Sequence, residues 1–450
     1  MRVSSWIGLL LIAAMAAAPV AAQESVSRSV DGLVYDLQHP EQDRRVQAAR
    51  LLGQNKVHVA VPALTAAAAD RDEDVRFEVV KALVRINDRL ALPIYVALAR
   101  DTSPDIQEKS IEGIINAYVS DESGFVRGLR NVVDFVNPFS DDYNPLMVEP
   151  FIEVDPAAID VVGDLLLSER ARIRKNAAVA LGILRARAAL PAIGDALDQE
   201  SVTDVKVELI RTIYKIGDPA GGGTLVPRVL DTDKSVHDEA IFTAGRLRVR
   251  EVVPYLVDML EAGVEERRTL FGFVPISSSD DLSRRVLEAL AHIGDPRAQH
   301  LFLDWLHSDR RWSRRFSAEG LGRIGDATYL PQVVARHQTE EADDVRLALA
   351  FARYRLGEAQ YLQDVVDRVT DDVQAYGYLM EFAPQEMPGL YSYVRNESDE
   401  LRIRLLEVIG MRGDPSAIDI AEEMIQVGSQ EVRAAANLAV LRIRGRHPGP

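Results

Sequence analysis

One pattern returns along this chain about every 31 residues: an apolar or small residue followed by Arg, with further small or apolar residues four and eight positions on. It reads Asp74-Val75-Arg76 with Ala82-Leu83, Ile173-Arg174 with Ala177-Ala178-Val179-Ala180-Leu181-Gly182, and Leu401-Arg402 with Val408-Ile409-Gly410. Twelve anchors can be placed, at Arg44, Val75, Ile106, Ile173, Val205, Val236, Leu282, Ser313, Val345, Val373, Leu401 and Val432. Nine of the eleven spacings fall between 28 and 32 residues; the other two, 67 and 46, are one unit plus an insertion. Positions four and eight beyond an anchor share its helical face, so each unit carries an apolar stripe. Arg353 and Glu381 interrupt the column at eight. Both are expected to tolerate Ala.

The ends of this helix are marked as well. Three residues before the anchor stand Asp72, Ser103, Asp233, Ser279, Thr370, Ser398 and Ser429, side chains that accept from the first free backbone amides. Twelve residues past it stand Gly217, Gly294, Gly325, Gly357 and Gly413, with Asn87 in the same column, residues that admit a left-handed helix end. Asp-Pro follows at 218–219, 295–296 and 414–415, and a second amphipathic helix completes each unit, as over 92–99, 190–197 or 253–260. Two helices in so short a unit cannot bury their stripes alone and must stack on neighbouring copies. The predicted architecture is an all-α solenoid.

The run Val-Arg-x-x-Ala-Ala-x-Ala-Leu-Gly … Ile-Gly-Asp-Pro resembles HEAT repeats, in particular the short bacterial kind of the phycobilisome lyases. The resemblance covers about residues 40–446, strongest at Ile173, Leu282, Ser313 and Leu401 and weakest at Val373 and Arg44. It implies a right-handed superhelix of about twelve two-helix repeats, with the motif helices lining a concave, protein-binding side. It implies no chemistry of its own.

The segments then read as follows: a signal peptide over 1–22, repeats over 23–118, an insertion over 119–156, repeats over 157–262, an insertion loop over 263–280, repeats over 281–446 and a tail over 447–450. Arg2, the apolar run from Ile7 to Val20 and the small residues Val20-Ala21-Ala22 support export with cleavage after Ala22. The apolar run is too short for a membrane span, so a periplasmic or secreted location without a membrane segment is expected. The first insertion offers Phe135, Phe139 and Tyr143 as partner contacts, and the second Phe271 and Phe273; the alternatives are loops that fold back to cover the stack, or disorder. Ser277-Ser278-Ser279 reads as a flexible lead into a helix cap.

Composition removes several function classes. There is no Cys, so disulfides, thiolate metal sites and Cys nucleophiles are excluded. A net charge of −17 argues against binding nucleic acid. None of the eight His is followed by Glu, so the His-Glu iron ligands of HEAT-like deoxyhypusine hydroxylases are missing. His292, His300 and His307 lack metal-ligand spacing on one helical face, and neither a metal nor a cofactor is expected. Arg412-Gly413-Asp414 spells an integrin-binding tripeptide, but it falls in the helix-ending column. One basic and aromatic cluster stands out, Arg310, Arg311, Trp312, Arg314 and Arg315, able to clamp an anionic partner with Arg stacked on Trp. Arg314 also belongs to the post-anchor column, whose simpler role is to bond the preceding turn and nearby acids. The expected function is a non-enzymatic extracytoplasmic scaffold for a protein partner. The alternatives are an accessory or lyase-like protein that handles a small molecule, and a purely structural spacer.

Overall fold

A computed structural model of the 450-residue chain describes residues 29–119, 146–269 and 277–447, the side chains of 263–269 and 277–279 excepted. Every regular element among the described residues is a helix, and the fold is an all-α solenoid. The chain divides into two compact units, Met1–Ile86 and Asn87–Pro450. The first contains motif helices α1 (Gln42–Gln54) and α2 (Glu73–Ile86). The second contains α3 (Pro104–Val119), α4 (Ala171–Ile183), α5 (Thr203–Ile216) and α6 (Lys234–Arg246). It continues with α7 (Ser277–Ile293), α8 (Arg311–Ile324), α9 (Asp343–Arg355), α10 (Val373–Leu379), α11 (Asp399–Arg412) and α12 (Gln430–Arg446).

The stripe is where the spacing puts it. Anchors Val75, Ile106, Ile173, Val236, Val345 and Val432 are fully buried, and so are Leu52, Leu83, Ile114, Leu181, Leu290, Leu321 and Ile409 eight positions on. A further column sets how closely the helices approach. Gly53, Gly245, Gly322 and Gly410, nine past their anchors, face Ala82, Ala289, Ala352 and Ala439, seven past the next anchor. A Cβ on Gly245 would lie 2.7 Å from the Ala289 Cα, and one on Gly322 would lie 2.8 Å from the Ala352 Cα. Bare backbone against a methyl-sized neighbour lets successive motif helices pack tightly.

Capping follows the sequence in part. Asp233, Ser398 and Ser429 accept amides of α6, α11 and α12. At each Asp-Pro, the carboxylates of Asp218, Asp295 and Asp414 accept the amide two residues on, at 2.9, 3.0 and 2.9 Å, and Pro opens a short helical turn. Gly217, Gly294, Gly325 and Gly357 are left-handed, as is Asn87 at φ 57°. Gly413 is not: at φ −66° it is extended, because the chain leaves α11 straight into the Asp414 turn. The same left-handed column also holds Lys56, Arg185 and Arg248.

Other expectations need correction. In the tenth unit Val373 is 86% exposed, while Ala375, Tyr378, Leu379 and Phe382 are buried. The stripe there is shifted by two residues, because aromatic stacks of Phe351 on Tyr378 (4.1 Å) and Tyr354 on Phe382 (5.4 Å) replace small-residue packing. Asp372, not Thr370, caps α10. The second insertion is not a loop throughout. The helix from Val253 runs to Thr269 and α7 starts at Ser277, so the serine run is helix rather than a flexible lead. Glu and Arg, good helix formers, dominate 265–268.

Despite the long interval between their anchors, α3 and α4 are neighbours: Asn176 donates to Glu108 at 3.1 Å and Arg172 pairs with Asp105 at 2.9 Å. The described end of the first insertion serves as cover. The Val148 amide donates to the Ile183 carbonyl at 2.9 Å, and the Asp155 amide donates to the Tyr118 hydroxyl at 2.9 Å. Glu149 takes both prongs of Arg442 from α12, at 2.8 and 2.7 Å.

Candidate functional site

The basic cluster at α8 is divided among internal partners. Arg310 pairs with Asp280 at 2.6 Å and lies 5.9 Å over the Trp312 ring. Arg311 pairs with Asp344, and Arg315 with Glu319 at 2.9 Å. Trp312 meets Trp305 edge to face at 5.8 Å. Arg314 bonds the Ser308 and Asp309 carbonyls, both at 3.0 Å, and grips Glu340 with two prongs at 2.8 and 2.9 Å. Arg174 does the same with the Ser168 carbonyl and Glu200. At Arg174 and Arg314 the post-anchor Arg is therefore a clasp between its own turn and the acid ahead of the next motif helix. Phe135, Phe139, Tyr143, Phe271 and Phe273 lie outside the described residues.

The Glu340 clasp has a measurable pH signature. Burial pushes this carboxyl up, but hydrogen bonds from Arg314, Arg336 and the Ala342 amide outweigh it and hold its pKa at about 2, against an ordinary 4.5. A depressed carboxyl adds stability above its ordinary pKa and loses it as pH falls through the folded value. Glu340→Gln is therefore expected to cost roughly 2 kcal/mol at pH 7. In thermal melts, the gap to the parent chain should close between pH 4.5 and pH 2. A constant gap across that range contradicts the clasp.

The interruptions of the stripe are also structural. Arg353 lies 3.8 Å over the Tyr361 ring and pairs with Glu358. Glu381 receives two hydrogen bonds from Arg323, at 2.8 and 2.7 Å, and one from Arg248 at 2.9 Å. Arg323 is 3% exposed and also meets Glu319, itself 2% exposed, at 3.1 Å. Ala at Glu381 would strip a buried guanidinium of one of its two acids, so the expected tolerance fails on physical grounds.

A second basic grouping, absent from the sequence reading, builds outward from Glu381. The Arg412 Nε donates to the neighbouring Phe382 carbonyl at 3.4 Å. Arg446 reaches the same end of α11, donating to the Gly410 and Gly413 carbonyls at 2.5 and 2.6 Å. One turn back on α12, Arg442 holds Glu149, and residue 148 is bonded to Ile183, two residues before Arg185. Arg185, Arg248, Arg412 and Arg446 thus stand at the C-terminal ends of α4, α6, α11 and α12, linked by contacts that run from one to the next. Burial, then the charges of Arg412, Arg185 and Arg442, push the Arg446 guanidinium down to about 10. Arg248 is likewise lowered, by burial first and then by Arg323, Arg355 and Arg412 against Glu381, although its side chain stays 49% exposed. Arg248 and Arg412 are exposed and Arg185 and Arg446 half-buried, so the grouping is a cationic one within reach of solvent.

Between α5 and α6, Tyr214 (42% exposed) and Phe242 (36% exposed) meet edge to face at 5.4 Å, with Arg246 5.2 Å over Phe242. Among the described residues no three His, Asp or Glu side chains gather as metal ligands, and no helix is long and apolar enough to cross a membrane. His292 is half-buried beside Glu288 at 3.9 Å, and His300 meets Glu261 at 3.0 Å.

The family model described as HEAT repeats matches residues 30–115 and 276–352, and that of the PBS lyase HEAT-like repeat matches 173–199. The chain carries HEAT repeats. No curated protein matches its sequence. Solved structures similar to this HEAT-repeat chain include an engineered protein, 17% identical, covering 92% of this chain and 98% of its own, at a TM-score of 0.39. YibA of Escherichia coli is 16% identical over 65% of this chain and 91% of its own, at 0.39. The CpcE–CpcF complex of phycocyanin lyase from a Nostoc species is 17% identical over 68% of this chain and 98% of its own, at 0.33. Within the HEAT register, Arg185 and Arg248 stand twelve past their anchors, where other units carry Gly. Reading that column for charge rather than for Gly would have found both.

Proposed function

We propose that this HEAT-repeat chain is a non-enzymatic, exported scaffold that grips a protein partner through the concave face of its motif helices. The observation that carries the reading is the solvent-facing group of Tyr214, Phe242 and Arg246, bridging two successive motif helices. Tyr and Arg dominate the energetic centres of protein interfaces, and the apolar columns and clasps elsewhere are already committed to packing. Export rests on residues 1–22, and the mature chain is expected to begin at Gln23.

Affinity capture from envelope extract tests the reading. A defined partner is expected on the parent chain and not on Tyr214→Ser/Phe242→Ser, which replaces part-exposed side chains and should leave the helical circular dichroism unchanged. Equal capture by both chains removes the proposed surface. Absorbance and mass spectrometry of the purified chain test the small-molecule alternative in the same preparation.

A further inference from the structure

We propose that Arg185, Arg248, Arg412 and Arg446, at the C-terminal ends of α4, α6, α11 and α12, form an anion site that takes an acidic peptide segment of the partner. The inference rests on the scaffold reading and gives its ligand a chemistry.

Three observations converge on it. First, the chain carries −17, yet cations outnumber acids at this place. Glu149 is held by Arg442, Glu386 by Arg355, and Glu381 is shared by Arg323 and Arg248. Among the described residues Arg185, Arg412 and Arg446 make no ion pair, and the Arg185 side chain makes no hydrogen bond either. Arg412 is exposed, while Arg185 and Arg446 are half-buried.

Second, two of these arginines occupy backbone that an L side chain resists. Arg185 has φ 52° and Arg248 φ 56°, in the column that Gly217, Gly294, Gly325 and Gly357 fill elsewhere. Gly would relieve the conformation, so the helix end does not require Arg there. Arg185 is strained and its side chain makes no hydrogen bond or ion pair among the described residues, which points to a use outside the fold.

Third, the site already displays its preferred ligand. Arg442 and Arg323, beside the four, each hold a carboxylate of the chain itself with two prongs, at 2.7–2.8 Å; Arg185, without a side-chain bond, and Arg412, bonded only through its Nε, can offer the same fork. Four guanidiniums spread over four helix ends suit several carboxylates along an extended peptide better than one compact phosphate.

The test is fluorescence anisotropy of the full chain with fluorescein-labelled deca-glutamate at low salt. The main variant is Arg185→Gly/Arg248→Gly/Arg412→Gln. Its charge-matched control is Arg172→Gln/Arg395→Gln/Arg404→Gln, three ion-paired surface arginines. The main variant is expected to bind at least ten-fold more weakly with an unchanged or higher melting temperature, and the control to stay within two-fold of the parent. Arg412→Gln alone, at an exposed position, is expected to weaken binding at least three-fold and covers the case of a poorly folded triple variant. Failure of the parent to bind overturns the proposal, as does equal loss in the control, undiminished binding by folded variants, or displacement by inorganic phosphate at matched charge. The two readings separate cleanly. If the triple variant still captures the partner, this site fails and the scaffold stands. If the peptide binds but no partner is captured, the site stands and the scaffold reading fails.

Discussion

Replacing Arg442 by Met is expected to destabilise the second unit by about 3–5 kcal/mol, read as the first transition in urea by circular dichroism. The Arg442 side chain is 9% exposed and that of Glu149 is 3% exposed, so the bond between them is made almost out of water. Removing Arg442 takes from a buried carboxylate the two-pronged partner that offsets its burial, the costly half of any buried ion pair. Exchanging both, as Arg442→Met/Glu149→Leu, removes the orphan and should recover most of the loss. The same contact ties the last motif helix to the described end of the first insertion. The single variant should therefore also raise amide exchange at Val148, whose hydrogen bond to Ile183 lies next to it. A cost below about 1 kcal/mol would mean that Glu149 is served by other groups or by water.

Gly245→Val is expected to cost about 3 kcal/mol, at the upper end for overpacking, because the obstacle is the Ala289 backbone and not a side chain that can turn away. Relief requires α6 and α7 to separate, so both helices should lose exchange protection together. Gly377→Ala is the contrast. Nothing lies within 4 Å of a Cβ at Gly377, so the substitution should stabilise α10 by about 0.5–1 kcal/mol through the unfolded chain. Similar costs at both positions would show that glycine acts there through helix propensity and not through close approach.

These expectations mark what was legible in the sequence. The anchor, plus-four and plus-eight columns could be read because a helix repeats its own face locally, and Asp-Pro because its hydrogen bond spans two residues. The pairing of glycine at nine with alanine at seven needs two units in register, which no single unit states. Val373 misled because the tenth unit exchanges small-residue packing for stacked aromatics, which shifts the buried face to Ala375 and Leu379. The α8 arginines looked like a site because they are dense in sequence. In the fold Arg310, Arg311 and Arg314 each face a different acid. The Arg185–Arg446 grouping was invisible for the opposite reason. Its members are scattered along the chain, and the link through Arg442 and Glu149 spans 293 residues.

The contact between a glycine of one motif helix and an alanine of the next has a direct covalent test in a chain without cysteine. A Cβ on Gly322 would stand 3.2 Å from that of Ala352, a few tenths of an ångström short of the usual disulfide range of about 3.5–4.5 Å. Gly322→Cys/Ala352→Cys is expected to oxidise in air to an intramolecular disulfide, seen as faster non-reducing gel migration and no free thiol. Gly377→Cys/Ala352→Cys should stay reduced. Free thiols in a folded, helical Gly322→Cys/Ala352→Cys chain would contradict the packing register on which the fold rests.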